Sequence, residues 1–423
     1  MILQFIMFCI FTYFILDDFS YYGIYAVPGS IQINIIHLVR YWLSLIWTKK
    51  TTQGKHTLTR NYEKGYTTIY GYCCRQLFNT FIINIKNNQK YRNKDINIGV
   101  TPIHHTSFRN IIENNFPQKN IHIFDIDEKY ENIIIQDDKK NIEYDIIVVT
   151  HLWGKYLNIN DITKQYKNAL IIEDVVLAGK FKKEFNNNSD LLFHSCGMDK
   201  RPSSIFGGYV HIKNENQNII ENMITSINNL ELPTKKEIFK KIYDTTLLYL
   251  LYNIRFIQNI TKLLIYSSGY KLSDIIQKIR KNKPGFEHSN YMKCPTHLMI
   301  KIIDSIYDTQ NKTEELFIRK NKLFLSQFSK NNQNKYFPWN SNNINSCLPY
   351  NVIYIEQIHH EKFINFFDSA NICTIKNPTY KTFNHSDKKI KKFLNNIFYL
   401  PNLYNLNDDE IINIATFLNT IIV

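Results

Sequence analysis

The sequence predicts an α/β fold: a large domain on a mostly parallel sheet with helices on both faces, followed by a smaller α/β unit. Two observations predict it. Short apolar, β-branched runs recur at Ile96–Val100, Ile121–Ile126, Tyr144–Thr150, Ala169–Asp174, Leu191–Ser195 and Gly208–Ile212, with the length of buried strands. Helical stretches such as Ser107–Asn114 and Asp161–Tyr166 lie between several of them, an alternation that gives parallel strands joined by crossover helices.

The elements follow in order. Residues 1–60 form an apolar extension. Ile2–Leu16 is almost wholly apolar, yet shorter than the roughly 20 residues a membrane span needs, and it lacks the basic start and small-residue cleavage site of a secretory signal. Ile31–Trp47 contains His37 and Arg40 and reads either as a helix at a membrane surface or as one buried against the next domain. The large domain, 61–235, opens with a helix at Tyr72–Ile85 after a Tyr70-Gly71 turn and closes with the strands above. An apolar helical insertion, 236–290, includes Leu247–Ile265, interrupted by Arg255 and Lys262; a hairpin, buried or lying on a membrane, is expected there. The second domain, 291–423, holds a helix at Thr296–Tyr307, a strand at Val352–Glu356 and a closing helix at Asp408–Ile421 with Asn and Asp as caps.

With 423 residues and 44% hydrophobic content, two or three domains with a sizeable core are expected. A fibre and a disordered chain are excluded. The 51 Lys+Arg against 37 Asp+Glu give +14, a balance that favours anionic partners. The charge is spread along the chain and no nucleic-acid motif accompanies it, so nucleic acid is not an expected partner. The seven cysteines (Cys9, Cys73, Cys74, Cys196, Cys294, Cys347 and Cys373) include no CxxC pair and no zinc spacing, so no metal site is expected. A reducing, cytoplasmic setting fits them, with the apolar segments offering membrane-surface contact. Cys73-Cys74 reads as a buried structural pair or as thiols activated at a helix start.

Three features line up on the large domain. Glu173-Asp174 closes the strand ALIIED, and alternation places only one of the two on the ligand side. Ser195 ends the strand LLFHS. Lys200 lies in the loop CGMDKRPSS, just before Gly207-Gly208. Together they are the parts a pyridoxal-phosphate site needs: an amine to condense with the cofactor aldehyde, a carboxylate to keep the pyridine nitrogen protonated, and donors for the phosphate.

These residues resemble the DegT/DnrJ/EryC1/StrS family of pyridoxal-phosphate-dependent sugar aminotransferases. The likeness is carried by THLWG (Thr150–Gly154), IIED (Ile171–Asp174), HSCGMDK (His194–Lys200) and FGGYVHI (Phe206–Ile212), and by the closing FYLPNLYNLNDDEIINIATFL (Phe398–Leu418). It covers roughly Asn61 to Val423. The resemblance implies a fold-type-I transferase of the aspartate aminotransferase superfamily. It implies Lys200 as the residue bonded to pyridoxal 5'-phosphate, Asp174 on the pyridine nitrogen, and Ser195 on the phosphate, with Gly71 and Tyr72 in the phosphate turn. His105, with His104 as the neighbouring alternative, falls where the family stacks a ring on the cofactor. Asn290 matches the segment that reaches the phosphate of a second subunit, implying a homodimer with shared sites. A nucleotide-linked keto sugar and an amino-acid donor, glutamate by analogy, are the implied substrates.

The chain departs from the family in places. Its small Ser-Gly-Thr-Ala turn is Tyr70-Gly71-Tyr72-Cys73 here, its Gln after Glu-Asp is Leu177, and the Arg of its Asn-Tyr-Arg-Met segment is absent, with Lys293 the nearest charge. Tyr72 and Leu177 favour a rival: a catalytically degenerate protein of the same fold, acting as a scaffold for a membrane surface or a partner.

Overall fold

Alternating or continuous runs of Ile, Val, Leu and Tyr build one eight-stranded sheet. A computed structural model describes the chain at residues 35–47, 58–92, 94–127, 130–154, 156–178, 189–197, 200, 203–254, 257, 260, 291–307, 310–337, 351–369, 375–376, 380–383, 388–400, 403 and 406–422. Among them the strands, in chain order, are Thr59–Arg60 (β1), Tyr66–Gly71 (β2), Ile98–Val100 (β3), Ile103–His105 (β4), Ile121–Ile123 (β5), Asp125–Ile126 (β6), Ile133–Ile134 (β7), Ile146–Thr150 (β8), Leu170–Asp174 (β9), Leu191–Ser195 (β10), Gly208–Lys213 (β11), Asn351–Tyr354 (β12), Ile375–Lys376 (β13), Tyr380–Thr382 (β14) and Ile397–Leu400 (β15).

The large sheet runs β1-β2-β11-β10-β9-β8-β3-β5. The pairs from β10 to β5 are parallel, as expected for strands buried on both faces. β11 is antiparallel to both β10 and β2. One sequence expectation is corrected here. Tyr70-Gly71 is not a turn but the end of β2, which pairs with β11 over six residues from Tyr66 to Gly71. Thr67 and Thr68 interrupt its apolar pattern, and Thr68 is buried against His211 Nδ1 (2.7 Å).

The helix Cys74–Asn87 buries Leu77, Phe78, Phe81 and Ile82 against this sheet. Phe78 stacks on Phe108 of the helix Thr106–Asn115 (4.1 Å) and meets Phe193 of β10 edge-on (5.5 Å). Aromatic pairs of this kind contribute about 0.5–1.5 kcal/mol beyond their burial. Of the two readings of Ile31–Trp47, the described part is buried. Helix Ile35–Trp47 packs Leu38, Tyr41 and Trp42 into the large core while Ile36 stays 56% exposed. Tyr41 O–H donates to the Ser204 carbonyl (3.3 Å), and Trp42 Nε1–H donates to Thr246 Oγ1 (2.9 Å). Thr246 belongs to helix Lys235–Asn253, opened by a Thr234–Glu237 capping box.

Helix His297–Tyr307 adds Met299, Ile303 and Tyr307 to the same core, and its Asp304 accepts from Tyr62 and Tyr70 and pairs with Arg60 (2.9 Å). The second core starts with helix Gln310–Ser326, which packs on the closing helix Asp408–Ile422 beside the antiparallel sheet β12-β15-β13. Ile2–Leu16, most of the expected hairpin from residue 255 to 265, and Asn290 lie outside the described residues. Among those described, no helix is long and apolar enough to cross a membrane.

Candidate active site

At the carboxyl ends of β8, β9 and β10 the chain brings Thr150, Asp174 and Ser195 to one edge of the sheet, where open α/β sheets bind ligands. Asp174 is 2% exposed. Its carboxylate accepts from Val176 N–H (3.1 Å) and from the Thr150 hydroxyl. Burial pushes its pKa up to about 6, against the pull of those hydrogen bonds and of the Lys200 charge. Alternation along β9 sends Glu173 to the opposite face. There it accepts from His151 Nε2–H (2.5 Å), because Leu157 N–H donates to His151 Nδ1 (3.0 Å) and leaves the ring proton on Nε2.

Lys200 is half-buried in a turn that its own N–H closes onto the Gly197 carbonyl (2.9 Å). Ser195 Oγ, also half-buried, accepts from Gly197 N–H (3.4 Å). The base of this loop is tied by main-chain bonds from Cys196 N–H to the Gly207 carbonyl and from Ser204 N–H to the Cys196 carbonyl (both 2.9 Å). The charges of Lys200 and Asp174 both act on the Cys74 thiol, which burial, first of all, raises well above its ordinary pKa. Helix Cys74–Asn87 therefore starts within electrostatic reach of both Asp174 and Lys200. Its cap is Cys73, whose Sγ accepts from Gln76 N–H (3.4 Å), while Gln76 Oε1 accepts from Tyr72 N–H (3.2 Å). Both thiols thus have structural roles, one as a cap and one as a buried neighbour.

Gly71 ends β2 and Tyr72 follows it. The Tyr72 ring is buried against Phe206 (5.6 Å), with Lys241 Nζ of helix Lys235–Asn253 at 4.1 Å over its face. The close approach of the helix start to β11 depends on Gly208. A Cβ there would lie 2.6 Å from Cys74 N and 2.8 Å from the His194 carbonyl, both backbone atoms. Gly208→Ala is expected to shift the helix start and cost about 1–3 kcal/mol of stability, read as a lower urea midpoint. An unchanged midpoint would show that this contact does not fix the helix.

The two histidines separate. His105 is half-buried and caps helix Thr106–Asn115 through Ser107 (Nδ1 to Ser107 N, 3.2 Å), with its ring edge-on to Tyr380. His104 is fully buried between Thr101 Oγ1 (3.0 Å) and Thr150 Oγ1 (2.6 Å), and burial lowers its pKa to about 3. A chain of side chains therefore runs His104–Thr150–Asp174. Thr150 and His151 stood inside the THLWG segment without an assigned role; their place after an apolar strand was the available signal. Leu177 is buried beside Trp153, and its carbonyl accepts from Gly154 N–H (2.9 Å). Among the described residues no cluster of His, Cys, Asp or Glu could hold a metal ion.

The same architecture is found in solved structures. The chain superposes on Helicobacter pylori PseC, an aminotransferase involved in the biosynthesis of pseudoaminic acid, with a TM-score of 0.64 over 94% of this chain and 98% of that one, at 14% identity. The chain has the fold of this structure. Escherichia coli GDP-4-keto-6-deoxy-D-mannose-3-dehydratase, solved with bound hydrated PLP, shares it at a TM-score of 0.59 and 13% identity, over 94% of this chain and 100% of that one. The aminotransferase from Psychrobacter cryohalolentis does so at 0.55 and 12%, over 92% and 96%. No family model and no curated protein matches the chain in sequence. The aminotransferase fold is thus carried here on a sequence that retains few of the same side chains.

Proposed function

We propose that the chain is a pyridoxal-phosphate-dependent aminotransferase. It moves an amino group from an amino acid, glutamate by the family resemblance, to a keto group on a nucleotide-linked sugar. The observation that supports this reading is the position of Asp174 and Ser195 at the carboxyl ends of β9 and β10, with Lys200 in the loop after β10 and both charges within reach of Cys74 at the start of helix Cys74–Asn87. The residues fit the cofactor. A carboxylate buried at a cost is stabilised by a cationic ring nitrogen, and the Gly71–Cys74 corner with Ser195 supplies donors for a phosphate at a helix start.

When bound, pyridoxal phosphate supplies an aldehyde that condenses with amines and a ring that accepts electrons. Lys200 would hold it and move the proton at the donor's α-carbon. Asp174 would keep the ring nitrogen protonated, oriented by Thr150 and, behind it, by His104, which stays neutral. His105 would lie against the ring. Asn290 would reach the phosphate of a second copy, in a homodimer with shared sites.

The test is a visible absorbance spectrum of purified protein supplied with pyridoxal phosphate. A band that borohydride bleaches, and that glutamate or another amino acid converts, is expected. A protein that shows no band and no response to any donor sinks the proposal in favour of a scaffold.

A further inference from the structure

The helix Ile35–Trp47 precedes every segment that carries the family resemblance, yet it reaches the loop that bears Lys200. Tyr41, 1% exposed, is the point of contact. Its O–H donates to the Ser204 carbonyl (3.3 Å), and its ring leans on Phe206 (5.5 Å, 40°). Both partners lie on the return of that loop, between Lys200 and β11.

This return is held in a costly conformation. Ile205, between the two partners, has a φ of 55°. A β-branched residue in the left-handed region is a steric outlier, and such a conformation persists only where its surroundings enforce it. The enforcement gathers on Ser204. Its N–H donates to the Cys196 carbonyl (2.9 Å) and its hydroxyl to the Phe206 carbonyl (2.7 Å), while its own carbonyl accepts from Phe206 N–H and from Tyr41. Ser204 and Ile205 are both buried, so water does not replace a bond that is lost. Among these bonds, only the one from the Tyr41 hydroxyl comes from outside the loop. Burial raises the pKa of that phenol well above its ordinary value, so it remains a donor at physiological pH.

The ring contacts carry the same hold to the other side of the candidate site. Phe206 meets Tyr72 as well as Tyr41 (5.6 Å, 49°), and Lys241 Nζ lies over both Tyr72 (4.1 Å) and Phe206 (5.1 Å). Tyr72 leads into the Gly71–Cys74 corner, so one phenylalanine, backed by Tyr41, joins that corner to the lysine loop. The helix itself is fixed separately, through Trp42 Nε1–H on Thr246 Oγ1 (2.9 Å) and the Trp42 ring edge-on to Phe239 (5.6 Å).

We infer that Tyr41 is a positioning residue, which holds the return of the Lys200 loop in its strained form and thereby aims the lysine at the strand ends. The effect on cofactor chemistry rests on the proposed function, whereas the hold on the loop does not.

The experiment compares the full-length wild type with Tyr41→Phe, which removes only the hydroxyl, and with Trp42→Phe, which removes the neighbouring bond of the same helix and a larger volume. Hydrogen exchange is read first, without cofactor, at the amides of Cys196, Ser204 and Phe206. Tyr41→Phe is expected to speed exchange there at least about fivefold, the effect of one buried hydrogen bond, with helix Thr106–Asn115 unchanged. Trp42→Phe should leave the three amides within about twofold of wild type. Pyridoxal phosphate is then added. The visible band should form at least about tenfold more slowly in Tyr41→Phe, as for a reacting amine held less well, and near the wild-type rate in Trp42→Phe. Equal acceleration of exchange in both variants would make the helix a structural support only and overturn the inference. Unchanged exchange, or an unchanged rate of band formation, in Tyr41→Phe would overturn it too. Absence of the band in the wild type, with the loop still loosened in Tyr41→Phe, would instead remove the aminotransferase reading and leave Tyr41 as the brace of the loop.

Discussion

Lys200→Ala is expected to abolish the borohydride-sensitive band and to lower amino transfer by about three orders of magnitude or more, the upper part of the range for a positioned proton carrier. The fold should survive. Lys200 is half-buried in a loop whose base is closed by main-chain bonds at Cys196, Ser204 and Gly207, so truncation leaves those bonds in place and the melting temperature should stay within a degree or two of wild type. Lys200→Arg keeps a charge beside Asp174 but offers no amine able to condense, and should be as inactive as alanine. A wild-type band in either variant would place the cofactor bond on another lysine.

Asp174→Asn separates stability from function. In the free protein the folded-state pKa of about 6 lies above the ordinary 3.8. The folded state therefore holds the proton more tightly, and stability falls as pH rises from about 4 to 6. Above that window the buried anion costs on the order of 3 kcal/mol, so the asparagine variant should be as stable as wild type, or more so, at neutral pH. Cofactor binding should move the other way. The anion is the form that pairs with a protonated ring nitrogen, so wild-type affinity should drop as pH falls below about 6, approaching tenfold per pH unit. The asparagine variant should bind weakly with no such dependence and turn over about 10²–10³-fold more slowly. Titration of the band against pH in both proteins checks this; parallel curves would remove Asp174 from the ring nitrogen. His104 has the opposite slope. Its pKa, depressed from 6.5 to about 3, makes stability fall as pH drops through that range, so the two groups offset one another between about pH 4 and 6.

The sheet centre was legible because its strands are continuous apolar runs. β10 was read to the residue, and β8 and β9 lost only a residue or two at their starts. Asp174 and Lys200 stood out only together with Ser195, in an order that suits a pyridoxal-phosphate site; a strand-end acid or a loop lysine alone is an ordinary cap or solvated residue. β2 was hidden by its two threonines, of which Thr68 is buried against His211, 143 residues away. The different surroundings of His104 and His105 turn on the register of a three-residue strand, which its pairing with β14 sets and no local pattern in the sequence shows.

The antiparallel strand β11 has a wider consequence. It bonds through the main chain to β2 on one side and β10 on the other, and Gly208 lets Cys74 sit against it. The corner at the helix start and the loop bearing the lysine are thus held by backbone groups that every residue type carries. Most surrounding side chains can drift without moving either. A chain sharing 14% of its residues with the Helicobacter pylori structure can follow its path over 94% of its own length, since bonds of this kind do not depend on which side chains are present.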